Sequence, residues 1–227
     1  MSSRRNLTIA IDGPSGAGKG TVARTIAEAL GYRHIDSGAM YRAVGWQALR
    51  DQVPFDEEAA VAALATRAVI EISPAAVRIN GEDVTRAIRT PEIDRAAAAV
   101  ARLPLVRDVL VGRQRLLGGG GGIVMEGRDI GTVVFPQADV KVYLDASPEE
   151  RARRRAADPA HSARAKSVNE VGTALAARDE SDRTRTASPL YAAADAVVVD
   201  TTGKSVDDVV REVMVLVRAK LELYRSL

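Results

Sequence analysis

The chain has 227 residues, of which 46% are hydrophobic and 27% charged, enough for a sizeable buried core; its net charge of +2 does not imply a nucleic-acid partner. It has no cysteine and only two histidines, which excludes disulfides, thiol catalysis and thiolate metal sites and argues against an imidazole metal site. No apolar run reaches membrane-spanning length and Met1–Arg5 leads into the first strand without a signal-like segment, so the expectation is a cytoplasmic protein without a membrane partner.

Leu7–Ile11 is a short β-branched run that predicts a buried strand, and Thr21–Leu30 carries Val22, Ile26 and Leu30 at helical spacing before Gly31. Between them lies Gly13-Pro14-Ser15-Gly16-Ala17-Gly18-Lys19-Gly20-Thr21. A glycine-rich turn between a strand and a helix start points backbone N–H groups into one concavity, where the helix dipole also favours phosphate. Lys19 adds a full charge on a stem long enough for the outer phosphates, and the spacing G-x-x-x-x-G-K is the nucleotide-binding P-loop. The hydroxyl residue that usually follows the lysine and ligates magnesium is absent: Gly20 stands there, and the hydroxyl comes one place later at Thr21. Mg²⁺ is therefore expected to be held by phosphate oxygens and water, with no metal ligand from the protein.

Arg33–Asp36 predicts a second strand, and a helix follows from about Ala39 to Arg50 with Met40, Val44 and Leu49 inward. Pro54 breaks it, and Asp56 is the expected cap of a helix from Glu57 to about Arg67. Val69–Ile72 and Ala76–Ile79 alternate with period two, and Asn80-Gly81 is a hairpin signal, so a small antiparallel insert is expected. Helices should cover about Pro91–Arg102 and Leu105–Leu117, and the run Gly118–Gly122 reads as a flexible surface connection. Ile123–Met125 is a core strand that delivers Glu126-Gly127-Arg128-Asp129, and Val140–Leu144 is another. Ser147-Pro148-Glu149-Glu150 predicts a capping box with proline at the first helical position.

The next helix carries Arg151, Arg153, Arg154 and Arg155, loses its pattern through Asp158–Ser162, and resumes from about Ser167 to Arg183. On the second part Arg178, Asp182 and Arg185 fall at i, i+4 and i+7 and would share one face. Both arginine groups read either as solvated ion-paired faces or as positive charge brought to a phosphoryl group. Val197–Val199 is the last strand, and Ser205 caps a long helix from Val206 to about Tyr224. Strands alternating with helices give an α/β fold with a parallel sheet covered on both faces, and ligands in such folds sit at the strands' carboxyl ends. That rule gathers Lys19, Asp36, Ser37, Arg128 and Asp129 into one crevice.

Four motifs occur in order: GPSGAGKGT, DSGAMYR at Asp36–Arg42, GRDIGTVVFP at Gly127–Pro136, and the charged run Arg178–Arg185. Together, over about Leu7 to Tyr224, they resemble the bacterial cytidylate kinases, a family of nucleoside monophosphate kinases. The resemblance implies a P-loop kinase: a five-stranded parallel sheet with helices on both faces, a small antiparallel insert and a helical lid. The core would comprise residues 7–68, 103–150 and 184–227, the monophosphate-binding insert 69–102 and the lid 151–183. The implied reaction is phosphorylation of CMP and dCMP by ATP with Mg²⁺, through in-line transfer.

Carried over by position, the resemblance implies that ATP lies on Gly13 to Thr21 with Lys19 on its outer phosphates. Ser37, Arg107 and Asp129 would face the cytosine, with Arg42 close to the acceptor side. Arg128 and Arg185 would hold the acceptor phosphate, Arg178 and Asp182 would contact the ribose, and Arg154 and Arg155 would be lid arginines. Lys19, Arg128, Arg154, Arg155 and Arg185 would supply the catalytic positive charge. The chain departs from the family pattern at Ala98, where a base-contacting serine is expected, and in the lid segment Asp158 to Ala165. The alternatives are a P-loop kinase for another monophosphate or small metabolite, and a nucleotide-gated binding module or GTPase switch. Against the last, no N-K-x-D motif occurs and Gly20 replaces the switch-type metal ligand. The partners expected are small-molecule substrates of a monomer, with no nucleic acid.

Overall fold

The computed structural model describes residues 6–158 and 167–226, so His161 and most of the segment where the helical pattern was expected to fade lie outside it. The chain opens with β1 (Thr8–Asp12), α1 (Lys19–Leu30), β2 (Arg33–Asp36), α2 (Ser37–Arg50) and α3 (Glu58–Arg67). Three short strands follow, β3 (Ile70–Ile72), β4 (Val77–Ile79) and β5 (Glu82–Asp83), then α4 (Pro91–Val100) and α5 (Pro104–Gly118). β6 (Ile123–Gly127), a π-helical turn at Ile130–Val134 and β7 (Val140–Asp145) lead to α6 (Pro148–Ala156) and α7 (Val168–Thr184), and β8 (Val197–Asp200) and α8 (Val206–Arg225) close the fold.

Five strands form one parallel sheet in the order β2-β6-β1-β7-β8. Period-two alternation in β1 sends Ile9 and Ile11 to one face, where Val22 and Ile26 of α1 and Val209, Val213 and Val217 of α8 pack on them. Ala10 points to the other face, beneath Val111 of α5 and beside Ile35, Met125 and Ile130. With both faces covered, the strands can be apolar throughout, and each fully buried Val or Ile contributes about 1.5–3 kcal/mol. The expected α/β sheet is thus the observed one. In register, Asp12 lies beside Gly127 and Tyr143, and Asp36 lies beside Glu126, so the polar strand ends form one row.

β3, β4 and β5 form the antiparallel insert. Asn80 (φ 52°) and Gly81 (φ 82°) are both left-handed, the geometry of a two-residue hairpin turn, and join β4 to β5, a strand too short for its alternation to be read. Val77, Ile79, Val84 and Ile88 pack against Ala39 and Ala43 of α2. α4 then lies close on α2: a Cβ on Gly45 would sit 3.1 Å from the Cβ of Ala96. Small residues in the run Ala96–Ala99 are what permits that approach.

Several helix starts differ from expectation. Asp36 itself caps α2, its Oδ1 accepting from the Ala39 N–H at 3.1 Å, so the helix begins at Ser37. α3 starts after Glu57 with no side-chain cap, so Asp56 does not serve. Ser147 accepts from the Glu150 N–H at 3.2 Å, but the Glu150 carboxylate goes to Arg153 and Arg154, leaving half a capping box. The complete box is at Ser167 and Glu170 of α7.

Gly118–Gly122 is a packed corner and not a flexible connection. A Cβ on Gly118 would lie 2.3 Å from the Phe135 ring, and one on Gly121 (φ 65°) would lie 2.3 Å from the Asn6 carbonyl oxygen. The Gly121 N–H donates to Gly118 O at 3.0 Å, and Gly122 O accepts from the Arg33 N–H at 2.9 Å. Only Gly120 of the inner residues has open space around it. Gly118→Ala is therefore expected to destabilise by about 1–3 kcal/mol through overpacking, and Gly120→Ala by no more than about 0.5 kcal/mol. Equal melting temperatures for the two variants would contradict the packed corner.

Candidate active site

The loop from Gly13 to Gly18 turns from the end of β1 into α1. Gly13 (φ 145°) passes so close to β7 that a Cβ would lie 2.0 Å from Leu144 O, and at Gly16 (φ 84°) it would lie 2.9 Å from both Cβ and O of Arg151. Tertiary neighbours, as well as backbone angles, thus require glycine at both positions. Gly18, also left-handed, is the N-cap, so α1 starts at Lys19, two residues earlier than its apolar spacing indicates. The Lys19 ammonium donates to Pro14 O at 2.7 Å. Burial, with the Arg128 guanidinium adding to it, pushes this ammonium down to about 7 against the pull of Glu126, Asp12 and Asp36. Gly20 has a steric reason: a Cβ there would lie 2.9 Å from Glu126 Oε1. A carboxylate from β6 takes the space that the usual hydroxyl residue would need, and its Oε1 has His34 Nε2 at 3.3 Å.

Ser15, Gly16, Gly18 and Lys19 form one wall of a cleft of about 280 Å³. Nine cationic and five acidic side chains line it, a surplus of four positive charges with Lys19 protonated. Such a surplus, with Lys19, Arg107 and Arg185 among it buried, favours an anionic ligand. Arg107 and Asp129 form a buried ion pair. Arg107 is held further by Nε on Ser188 Oγ (3.2 Å) and Nη1 on Ala101 O (3.3 Å), and its guanidinium lies 5.4 Å from the Tyr41 ring centroid. Oδ1 of Asp129 has Arg185 Nη2 at 3.7 Å, beyond hydrogen-bond distance, and that nitrogen is buried without a hydrogen-bond partner.

Asp182 is the second acidic hub. Its Oδ2 accepts from Arg128 Nε at 2.9 Å and has Arg178 Nε at 4.0 Å, while its Oδ1 has Arg185 Nη1 at 3.9 Å. Burial works against its charge, yet these three guanidinium groups hold the carboxyl below the usual range. α7 ends at Thr184 and Arg185 is extended (φ −65°, ψ 140°), so it reaches the cleft from the residue after the helix and not from a shared helical face. Ser37 Oγ donates to Glu126 O at 2.6 Å, and Arg42 Nη2 to Asp36 Oδ2 at 2.5 Å. Lys19, Ser37, Arg42, Arg107, Arg128, Asp129, Arg178, Asp182 and Arg185 all line this cleft; Ala97 of α4 and Ala101 just after it do so too, whereas Ala98 does not.

The arginines of α6 separate. Arg151 is buried against Asp179 and also donates to Ala146 O (3.1 Å) and Ser15 O (3.2 Å), bracing the loop from beneath. Arg153 is the solvated one, paired with Glu150. Arg154 bonds Glu150 Oε1 (2.8 Å) and Thr201 (2.9 Å to Oγ1, 2.6 Å to O) and faces a second cavity of about 390 Å³ between the loop and the start of α8. Arg155 lies where the two cavities meet, 2.5 Å from Asp94 Oδ2 on α4, and Arg178 reaches the same carboxylate at 3.3 Å.

The sequence profile of cytidylate kinases matches residues 9–219. The chain belongs to the cytidylate kinase family. It is 46% identical over 222 residues to a cytidylate kinase of Desulfitobacterium hafniense (strain Y51), covering 96% of each chain. It is 47% identical over 223 residues to one of Geobacter sulfurreducens, covering 96% of this chain and 95% of the relative. A shikimate kinase structure from Bacteroides thetaiotaomicron shares the fold at a TM-score of 0.53 and 13% identity, over 93% of this chain and 98% of that one. As a cytidylate kinase family member the protein is a phosphotransferase with the P-loop kinase fold.

The family motifs do not reveal Asp12, Glu126 or Asp94. Asp12 ends β1, its Oδ1 accepting from the Ile130 N–H (2.8 Å) and its Oδ2 from the Gly131 N–H (2.7 Å). Burial pushes its carboxyl up to about 6 against those two amides. The signal for Asp12 and Glu126 was a lone acid at the carboxyl end of an apolar strand; Asp94 gave none, because its partners come from α6 and α7.

Two outcomes follow from this geometry. Phosphates beside Lys19 would restore its proton, so binding of a nucleoside triphosphate at pH 8 should take up about one proton per site, and Lys19→Met should abolish the uptake. Titration calorimetry in buffers of different ionisation enthalpy reads this directly, and observed heats that do not vary with the buffer would exclude it. Arg151→Met leaves Asp179 buried and unpaired, and should lower stability by about 3–5 kcal/mol in urea denaturation.

Proposed function

We propose that the protein transfers the γ-phosphoryl group of ATP to CMP and dCMP, giving CDP and dCDP. Family membership and the cleft's surplus of positive charge support it, and the observation that carries the acceptor assignment is the buried Arg107–Asp129 pair. Cytosine presents an amino donor at N4 beside acceptors at N3 and O2. A carboxylate next to a guanidinium complements that edge, whereas uracil would set O4 against the carboxylate and N3–H against the guanidinium. The likeness to a shikimate kinase stops at the fold and gives no support to that acceptor.

In this reading ATP phosphates lie on Gly13 to Thr21, and the donor nucleoside extends toward the cavity at the start of α8. Arg128 and Arg185 hold the acceptor phosphate, Arg178 and Asp182 contact the ribose, and Ser37, Arg107 and Asp129 face the base, with Arg42 alongside. Residues 69–102 serve as the acceptor-binding insert and 151–183 as the lid. Arg154 approaches from the donor side and Arg155 from between the two cavities. An oxygen of the acceptor phosphate attacks the γ-phosphorus in line while the bond to the ADP oxygen breaks, and the bonding electrons leave with ADP. No covalent intermediate is needed: the side chains position the reactants and stabilise charge.

Mg²⁺ fits the residues present. Among the described residues no group of three acidic or imidazole side chains could cage a metal, and one carboxylate beside the loop is what an ion held mainly by phosphates and water requires. Glu126, next to Gly20, is that carboxylate, which departs from the expectation that the protein supplies no metal ligand. When bound, the ion would neutralise charge on the outer phosphate oxygens. No helix among the described residues is long and apolar enough to cross a membrane. A cytoplasmic monomer acting on these small molecules completes the reading.

A coupled ADP-release assay with a panel of monophosphates tests the proposal: CMP and dCMP should support turnover with kcat/KM well above that of UMP. Mismatched buried polar groups cost about 1–3 kcal/mol each, so the preference should be about tenfold to several hundredfold. Asp129→Ala should bring the ratio toward one, chiefly by losing CMP activity. Lys19→Ala should lower kcat by about a hundredfold or more with a smaller change in ATP affinity, because charge on the outer phosphates is greatest in the transition state. No turnover with either cytidine nucleotide would overturn the assignment.

A further inference from the structure

The π-helical turn at Ile130–Val134 begins immediately after Asp129, and both of its ends are held by side chains from other elements. At its start the two oxygens of Asp12 accept from the N–H groups of Ile130 (2.8 Å) and Gly131 (2.7 Å). At its finish Arg115 of α5 donates Nη2 to Val133 O (2.7 Å) and Nε to Val134 O (3.1 Å). These are backbone groups that a single helical turn leaves without internal partners, and the charges complement its dipole: acid at the amino end, base at the carboxyl end. Gly131 permits the grip, since a Cβ there would meet Asp12 Oδ2 at 3.3 Å and Lys141 Cδ at 3.2 Å.

Single π-turns are uncommon and concentrate at functional sites. This one carries the carboxylate assigned to the base, and Asp12 immediately precedes Gly13 of the phosphate loop. α5 meanwhile contributes Arg107 to the Asp129 side chain and Arg115 to the far end of the turn. Asp129 is thus fixed from three directions: through its side chain, through the amides after it and through the carbonyls that close the turn.

We propose that Asp12 and Arg115 are positioning residues for base selection: by capping the two ends of the π-turn they hold Asp129 where it meets the cytosine edge. The proposal rests on the reading that Asp129 contacts the base. Neither residue touches the substrate. Their effect is on acceptor discrimination, since a misplacement of about 1 Å at a reacting or recognising group is enough for large losses.

The test is steady-state kinetics with CMP, UMP and ATP for Asp12→Asn, Arg115→Met, Arg115→Lys and Asp129→Asn, with circular dichroism to establish folding. Asp12→Asn sets an NH₂ group against a backbone N–H, and Arg115→Met removes both donors at an exposed position. Each should raise KM for CMP by about tenfold and lower the CMP-over-UMP ratio of kcat/KM by about fivefold or more, with KM for ATP within about twofold of wild type. Arg115→Lys, which keeps one charged donor, should recover part of the ratio. A ratio within about twofold of wild type in either folded variant overturns the proposal, as does an equal rise in KM for ATP. If Asp12→Asn fails to fold, Arg115→Met decides alone. Asp129→Asn separates the two levels of inference. A collapsed ratio there with intact ratios in the capping variants defeats only the positioning role, whereas an intact ratio in Asp129→Asn defeats the base assignment itself.

Discussion

Burial of guanidinium groups around one cleft is the constraint on which much of this molecule depends. A buried ion costs several kcal/mol of desolvation unless its partner is close and well oriented. The partners here come from separate elements: Asp129 from the end of β6, Asp182 and Asp179 from α7, and Asp94 from α4. Pairing each with an arginine of another element draws α4, α5, α6 and α7 together over the strand ends. The interactions that pack these helices are therefore the same ones that shape the cleft. Because cations still outnumber acids along its walls, the arrangement has room for the negative charge of a ligand.

Beneath that layer the sheet does the positioning. Parallel register brings the carboxyl ends of β1, β2 and β6 level, and each carries an acid at or next to its last residue, with a different task. Asp36 caps α2 and takes Arg42, Glu126 occupies the space beside Gly20, and Asp12 grips the π-turn. An apolar strand tolerates such a residue only where it leaves the core, so the acids sit where the fold also offers its crevice. The phosphate loop is constrained from outside as well: Leu144 presses on Gly13, and Arg151, anchored by Asp179, presses on Gly16.

The α6 arginines show how one local pattern divides in three dimensions. Four positions within a five-residue stretch point around the helix, so one braces the loop, one meets water, one faces the second cavity and one lies between the two cavities. Helical geometry separates Arg153 from Arg154 and Arg154 from Arg155, whereas Arg151 shares a side with Arg154 and Arg155 at i+3 and i+4 and parts from them through its partners. Which direction each took was set by the packing of α6 on α7, by Asp94 of α4 and by the hydroxyl and carbonyl of Thr201 after β8.

What the sequence by itself determined is what near neighbours determine. The order and type of the strands and helices, the phosphate loop, the Asn80-Gly81 hairpin and the cap at Ser205 rest on periodicity and on residues within a few positions of one another. The four motifs also made the family legible. Tertiary structure decided the rest, because the partners were far apart along the chain. The glycine corner is tight only because Phe135 and Asn6 pack on it, and Gly20 is small only because Glu126 of β6 arrives beside it. Asp56 does not cap α3, and Glu150 left the capping box because Arg153 and Arg154 compete for its carboxylate. Arg185 reached the cleft although its helix ended one residue earlier, since Ser188, Asp129 and Asp182 hold its guanidinium whatever the backbone does before it. The grip of Asp12 on amides 118 and 119 residues away has no trace in local sequence, because a hydrogen bond between a strand end and a distant turn exists only once the sheet has set them side by side.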